Sequence, residues 1–166
     1  MPYHFDPLTE SDARAILSWR YEGPYSFYNT PSEDMEEDVR YFLEPQNRYH
    51  AIRNDAGTLI GYCCFGEDAQ VQGGDYQRAA LDVGAGMNPV LTGQGRGYEF
   101  MVTILEFARH AFAPPRFRTT IAAWNQRALR MTERAGFRRD ITFTRAAQGH
   151  YTACDFVILT KEESDV

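Results

Sequence analysis

The chemistry this chain can do is concentrated around three glycines at alternate positions, Gly93, Gly95 and Gly97, a short way downstream of Asp82 and Pro89. Glycines so spaced let a backbone turn tightly and come close to a bound group. Where a helix follows, its first N–H groups and the positive end of its dipole point back at the turn, which makes a seat for a diphosphate. Upstream, Leu81, Val83, Ala85 and Met87 alternate with Asp82, Gly84 and Gly86, the pattern of a strand with one apolar face. Pro89 ends that strand by removing a backbone donor. No Gly-Lys-Ser/Thr follows, so the turn is not a P-loop. Tyr98 stands where a dinucleotide fingerprint needs its third glycine. Taken alone, the three glycines also fit a purely structural strand-to-helix turn.

A second stretch narrows the choice. Residues 117–123 are strand-like, and residues 124–137 read as a short helix capped by Asn125. Ala128, Met131 and Ala135 form one face of that helix, Gly136 stops it, and Phe137 can pack back upon it. Thr92-x-x-Gly95-x-Gly97 after Pro89, with Asn125-x-x-Ala128 running to Gly136-Phe137, resembles the GNAT N-acetyltransferases. The first piece is similar to the family's acetyl-coenzyme A loop, Gln/Arg-x-x-Gly-x-Gly/Ala. Both pieces stand in the family's order and at its separation, and the resemblance covers essentially the whole chain.

The resemblance implies a mixed, mostly antiparallel central sheet of about seven strands flanked by about four helices, splayed where the coenzyme enters. It implies acetyl-CoA as cosubstrate, with no metal. Backbone N–H groups of Ala85 and Met87 would meet the pantetheine and the thioester. Amides of Thr92, Gly93, Gln94, Gly95, Arg96, Gly97 and Tyr98 would hold the diphosphate, and Asn125 would touch the pantetheine arm. Asp82 stands where many relatives carry a glutamate that acts as base. The other role open to it is structural, as a carboxylate paired with an arginine. Glu22, Tyr25, Phe27 and Tyr28, beside Tyr21, lie where the family builds its acceptor pocket, and aromatic walls near an acid suit an alkyl amine or an N-terminus. Each ring taken singly also fits a core under a loop.

Two departures from the family pattern matter. Thr132 occupies the position of a tyrosine that protonates the leaving thiolate, and its hydroxyl is far too weak an acid for that work. Tyr151 and His150 offer conceivable substitutes, although each also reads as a surface hairpin residue. Thr92 replaces the Gln/Arg at the head of the loop, which weakens coenzyme binding unless Gln94 or Arg96 supplies a phosphate contact. The leading expectation is direct acetyl transfer, in a ternary complex, to a primary amine of a small molecule or a protein N-terminus. A catalytically degenerate acetyl-CoA sensor is the alternative, and a nucleotide-binding domain of another family is a weaker third.

Bulk properties fit an enzyme of this size. At 166 residues with 43% hydrophobic side chains, one compact domain with a true core is expected, with residues 160–166 a frayed tail. The N-terminal segment lacks the basic start and apolar run of an export signal, so a cytoplasmic protein is expected, binding neither membrane nor nucleic acid. Residues 1–69 hold 13 acids against 5 bases, a negative half that attracts cationic partners. Cys63, Cys64 and Cys154 have no metal-type spacing and read as packing residues. A homodimer through the last strands would be unsurprising.

The elements that must position these residues follow in order. A strand at 3–6 precedes a helix near 10–20 capped by Thr9 or Ser11, then an aromatic connector at 21–31 and a helix over 33–43 capped by Ser32. Strands at 49–53 and 58–65 meet in a hairpin at Asn54–Gly57, the second apolar enough to be central. The glycine strand-turn-helix runs to Phe112, stopped by Pro114-Pro115. Strands at 141–145 and 151–160 close the chain around Gln148-Gly149.

Overall fold

The computed structural model describes residues 3–31, 33–149 and 151–163. Its strands are β1 (Tyr3–Pro7), β2 (His50–Asn54), β3 (Leu59–Phe65), β4 (Leu81–Met87), β5 (Arg116–Ala122), β6 (Arg138–Arg145) and β7 (Cys154–Glu162). Four α-helices accompany them: α1 (Glu10–Ser18), α2 (Met35–Leu43), α3 (Gly97–Phe112) and α4 (Gln126–Arg134). The strands form one mixed sheet in the order β1-β2-β3-β4-β5-β7-β6, with β4 and β5 parallel. Two compact units share β4: Met1–Cys64 with Ala85–Arg96, and Phe65–Gly84 with Gly97–Val166.

In the first unit, β1, β2 and β3 pair antiparallel. Asn54 closes the β2–β3 turn by accepting from the N–H groups of Ala56 and Thr58 on Oδ1, with Gly57 at φ 83°. Helix α1 starts in a full capping box, in which Thr9 and Asp12 exchange side-chain and backbone bonds, an arrangement worth about 1 kcal/mol. Asp12 is buried and ion-paired with Arg53. Ala13 and Leu17 of α1 meet Val39 of α2, and Leu8, Met35 and Phe42 complete that cluster. Helix α2 begins two residues later than expected, because Asp34 rather than Ser32 accepts from the N–H of Glu37; Ser32 lies outside the described residues.

In the second unit, β5, β7 and β6 form an antiparallel ladder. The apolar face of α3 is buried from Phe100 to Ala108, and the rings of Phe107 and Phe112 stand 6.1 and 5.1 Å from Phe65. Helix α4 buries Leu129 and Thr132, not the expected stripe of Ala128, Met131 and Ala135, which are half-buried. On the face turned to the core, Leu129 and Thr132 are both fully buried. Gly136 at φ 105° ends the helix, and Phe137 is buried, as the motif requires. The expected frayed end at 160 is corrected: β7 continues to Glu162, and the N–H of Glu163 donates to the Pro115 carbonyl. Strand β6 also starts three residues early, at Arg138, because it pairs with Thr160. No described helix is long and apolar enough to cross a membrane.

Candidate functional site

The site's framework is the C-terminal half of β4 with the turn after it. In the first unit, a β-carbon on Gly86 would sit 2.6 Å from Cζ and 2.7 Å from Oη of Tyr62, so a side chain there would require the ring to shift. Ala85 is exposed. The Met87 carbonyl accepts from Tyr21 Oη at 2.7 Å. Asn88 then fastens the turn: its N–H donates to the Ile60 carbonyl at 2.8 Å, its Nδ2 to Leu59, and its Oδ1 accepts from Val90. Residues Pro89–Leu91 make a single 3-10 turn. Beyond it, Gly93 and Gly95 both hold φ of 75°, and residues 93–96 are exposed.

Left-handed residues alternating with ordinary ones turn successive N–H groups toward one side, which forms a concave anion seat. Around Gly95 a β-carbon would meet nothing within 4 Å, so the loop's surface is open at that point. The loop thus fits a diphosphate. Two of its side chains bond back to the loop's own carbonyls: Thr92 Oγ1 donates to the Pro89 carbonyl at 2.8 Å, and Gln94 Nε2 to the Val90 carbonyl at 3.1 Å. Both side chains expected to make up for the missing Gln/Arg are exposed, and Gln94 is occupied locally.

The aromatic connector is held as a closed ring of chain. Asn29 Oδ1 accepts from the Tyr21 N–H at 2.6 Å while its Nδ2 donates to the Tyr21 carbonyl at 3.2 Å. Between them residues Gly23–Tyr28 coil as a 3-10 helix. Glu22 and Tyr28 are exposed, Tyr25 and Phe27 half-buried, and the Phe27 and Tyr28 rings meet edge to face at 5.1 Å. Burial pushes the Tyr21 phenol up to about 12, so its hydroxyl stays a donor to β4 through neutral pH. Stability that depends on this bond is expected to fall between about pH 10 and 12, since the unfolded chain ionises first; a pH series of thermal melts on the wild type and Tyr21→Phe checks it.

One feature the sequence reading missed is a row of rings backing onto Gly86. Trp19 and Tyr49 lie 6.1 and 6.0 Å from Tyr62, and Phe42 stacks on Tyr49 at 4.5 Å. The available signal was a tyrosine inside an otherwise apolar strand.

In the second unit, Asp82 is not an open carboxylate. Only 3% exposed, it receives Arg118 Nε on Oδ1 at 2.6 Å and Arg118 Nη2 on Oδ2 at 2.7 Å, with Gln70 Nε2 adding a bond at 2.9 Å. Asp82 and Arg118 are register partners in the β4–β5 pairing, which puts the two side chains side by side. Arg118 also donates to the Arg78 carbonyl and lies 5.0 Å above the Tyr76 ring; its hydrogen bonds to Asp82 push its pKa up. Of the two roles open to Asp82, the geometry fits the structural one: both oxygens are already engaged by a permanent cation. At the next carbonyl, that of Val83, the partner from β5 is the Thr119 hydroxyl at 2.9 Å, not an amide, and the backbone pairing of β4 with β5 spans Leu81 and Asp82.

Asn125 is buried and spends Oδ1 on the Ala128 N–H at 3.2 Å, the helix cap expected of it. Thr132 is fully buried, and its hydroxyl has no hydrogen-bond partner among the described residues. It cannot reach a leaving group. Tyr151 is exposed under the Arg145 guanidinium, and His150 lies outside the described residues. Cys63 and Cys64 are buried, and burial raises the Cys63 thiol well above its usual range. Among the described residues no group of His, Cys, Asp or Glu is arranged to hold a metal.

Several solved structures with this fold carry the names of acetyltransferases. A chimera of the spermidine N-acetyltransferase SpeG from Vibrio cholerae with hSSAT has a TM-score of 0.78 at 16% identity, covering 98% of this chain and 96% of that one. A GNAT-family acetyltransferase from Bacillus anthracis gives 0.72 at 17% identity, with 98% and 95% covered. The structure of yncA from Salmonella typhimurium with its cofactor acetyl-CoA gives 0.67 at 15% identity, with 98% and 94% covered. These identities speak for the fold alone. No curated protein matches the sequence. The model of the acetyltransferase (GNAT) domain matches residues 4–138, and the chain belongs to that family, whose acyl donor is acetyl-CoA.

Proposed function

We propose that this protein transfers an acetyl group from acetyl-CoA to a primary amine of a small, cationic acceptor, directly and in a ternary complex. The observation that carries the reading is the exposed turn at 93–96 with its two left-handed glycines, placed immediately after a strand edge with an exposed alanine. Main-chain N–H groups of Gly93 to Arg96 hold the diphosphate, and those of Ala85 and Met87 meet the pantetheine and the thioester oxygen. Bound acetyl-CoA supplies an activated acyl carbon and a good leaving thiolate. The protein's own contribution is position. The acceptor ammonium first gives one proton to water; the free amine then attacks the acyl carbon, the C–S bond breaks, and the second nitrogen proton reaches the departing thiolate through solvent.

Two features support direct transfer and a cationic acceptor. Cys63 is buried with a raised thiol pKa, the opposite of an activated nucleophile. In the first unit, Glu22 is exposed beside the aromatic loop, and α2 carries Glu36, Glu37 and Asp38 in its first turn. Such a field draws in cations, and the spermidine enzyme with this fold acts on one. Incubation with acetyl-CoA and a panel of amines tests this: release of thiol that depends on the acceptor, fastest for polyamines, is the expected result. Tight binding with no turnover on any amine would replace it with the sensor reading, which the buried Thr132 favours.

The clasp on the acceptor loop gives a further expectation. Asn29→Ala removes two hydrogen bonds, each worth about 1 kcal/mol, and is expected to raise the acceptor KM roughly tenfold while leaving coenzyme affinity unchanged. Steady-state kinetics in both substrates, beside a coenzyme titration, checks the split.

A further inference from the structure

Within the second unit, residues of the connector 70–80 and of β5, β6 and β7 enclose a cavity of about 380 Å³, and none of its lining residues is assigned above to the coenzyme or the acceptor. The connector is pinned down as one wall. Tyr76 Oη accepts from the Val71 N–H at 2.9 Å and is hydrogen-bonded to Thr120 Oγ1 of β5 at 2.8 Å. Arg118 Nη1 donates to the Arg78 carbonyl at 2.7 Å, and Arg116 Nη1 to the Ala79 carbonyl at 2.6 Å. The wall from β6 is bent. Arg139 pairs with Leu159 and Ile141 with Ile158, which leaves Asp140 as the extra residue of a β-bulge. Successive side chains of a regular strand point to opposite faces, yet Asp140 and Ile141 both line this cavity. Bulges re-aim side chains in this way beside binding sites.

The lining says which ligand. Ile141 and Ile158 give an apolar patch, and Asp75, Arg78, Arg116 and Asp140 share the lining with them. Arg116 spends Nε on Glu162 and Nη1 on the Ala79 carbonyl, and its Nη2 makes no hydrogen bond among the described residues. Arg78 meets Glu162 only at 3.4 Å. One carboxylate, Glu162, thus serves three guanidinium groups, those of Arg116, Arg78 and Arg138. Asp140 is in no ion pair or hydrogen bond among the described residues. A plain anion would be repelled by Asp75 and Asp140, and a plain cation by Arg78 and Arg116. A small molecule that carries both charges close together, with an apolar remainder, satisfies them all. We infer that the cavity binds a free α-amino acid with an aliphatic side chain. Its carboxylate lies on Arg78 and Arg116, whose planar forks match it, its ammonium on Asp140, and its side chain on Ile141 and Ile158. The volume stands at the small end of the roughly 300–1,000 Å³ of ligand pockets, which suits a single amino acid rather than a peptide.

The test is a calorimetric titration of the full chain, without acetyl-CoA, using L-leucine, 4-methylpentanoate and 3-methylbutylamine; the second lacks the ammonium and the third the carboxylate. Leucine is expected to bind with a Kd of about 1 mM or below, and at least about tenfold more tightly than either analogue. Asp140→Asn is expected to weaken leucine about tenfold without weakening 4-methylpentanoate. Arg78→Gln is expected to weaken leucine about tenfold without weakening 3-methylbutylamine. Both side chains are exposed, and the Arg78 carbonyl that receives Arg118 is kept, so both variants are expected to melt as the wild type does. No binding of leucine at about 10 mM, equal affinity for all three compounds, or leucine affinity unchanged in both variants would each overturn the inference. None of these results bears on the coenzyme reading, which the turn at 93–96 carries.

Discussion

Asp82→Asn is expected to cost stability rather than chemistry. Asparagine keeps the shape but leaves Arg118, 4% exposed, with an uncompensated charge over the ring of Tyr76. Breaking a buried pair from one side costs about 3–5 kcal/mol, which in a chain of this length lowers the melting temperature by roughly 10 °C. The substitution also loosens the loop that Gln70 and the Arg78 carbonyl tie to the pair. Turnover per folded molecule, and its pH profile, are expected to match the wild type, because the pH dependence belongs to the acceptor amine. Arg118→Met on top of Asp82→Asn removes the stranded charge and is expected to recover part of the loss. A variant that melts normally yet loses activity a hundredfold would return Asp82 to the role of base.

Gly95→Glu has the opposite signature. Nothing lies within 4 Å of a β-carbon there, so the cost to folding is the left-handed backbone alone, about 1–2 kcal/mol. A carboxylate set in a seat for a diphosphate turns attraction into repulsion, and coenzyme affinity is expected to fall about 100-fold or more. Gly95→Ala carries the same backbone strain without the charge and separates the two effects. Calorimetric titration of both variants reads the outcome, and unchanged affinity in the glutamate variant would mean the diphosphate lies elsewhere.

Much of the architecture was written in short-range chemistry. Alternation marked β4 with its true limits, Asn125 and Gly136 marked the ends of α4, and the apolar run of β3 announced an interior strand. These signals are local, so a sequence displays them. Asp82 shows where locality fails. The cation that neutralises it lies 36 residues away and is set by the register of a parallel pair. The same holds for Tyr21 and Met87, 66 residues apart, and for the ring row behind Gly86. The shifted face of α4 has another cause, because the choice between Leu129 and Met131 for the core depends on the shape of the space to be filled.

Tyr62 lying against Gly86 has a consequence for how relatives of this protein can diverge. A side chain at 86 requires the ring at 62 to shift, and a ring held at 62 disfavours a side chain at 86. The two positions therefore mutate as a couple: in a randomised library selected for activity, alanine at 86 should be recovered only in company with a small residue at 62, and a tally of such clones would read the coupling directly.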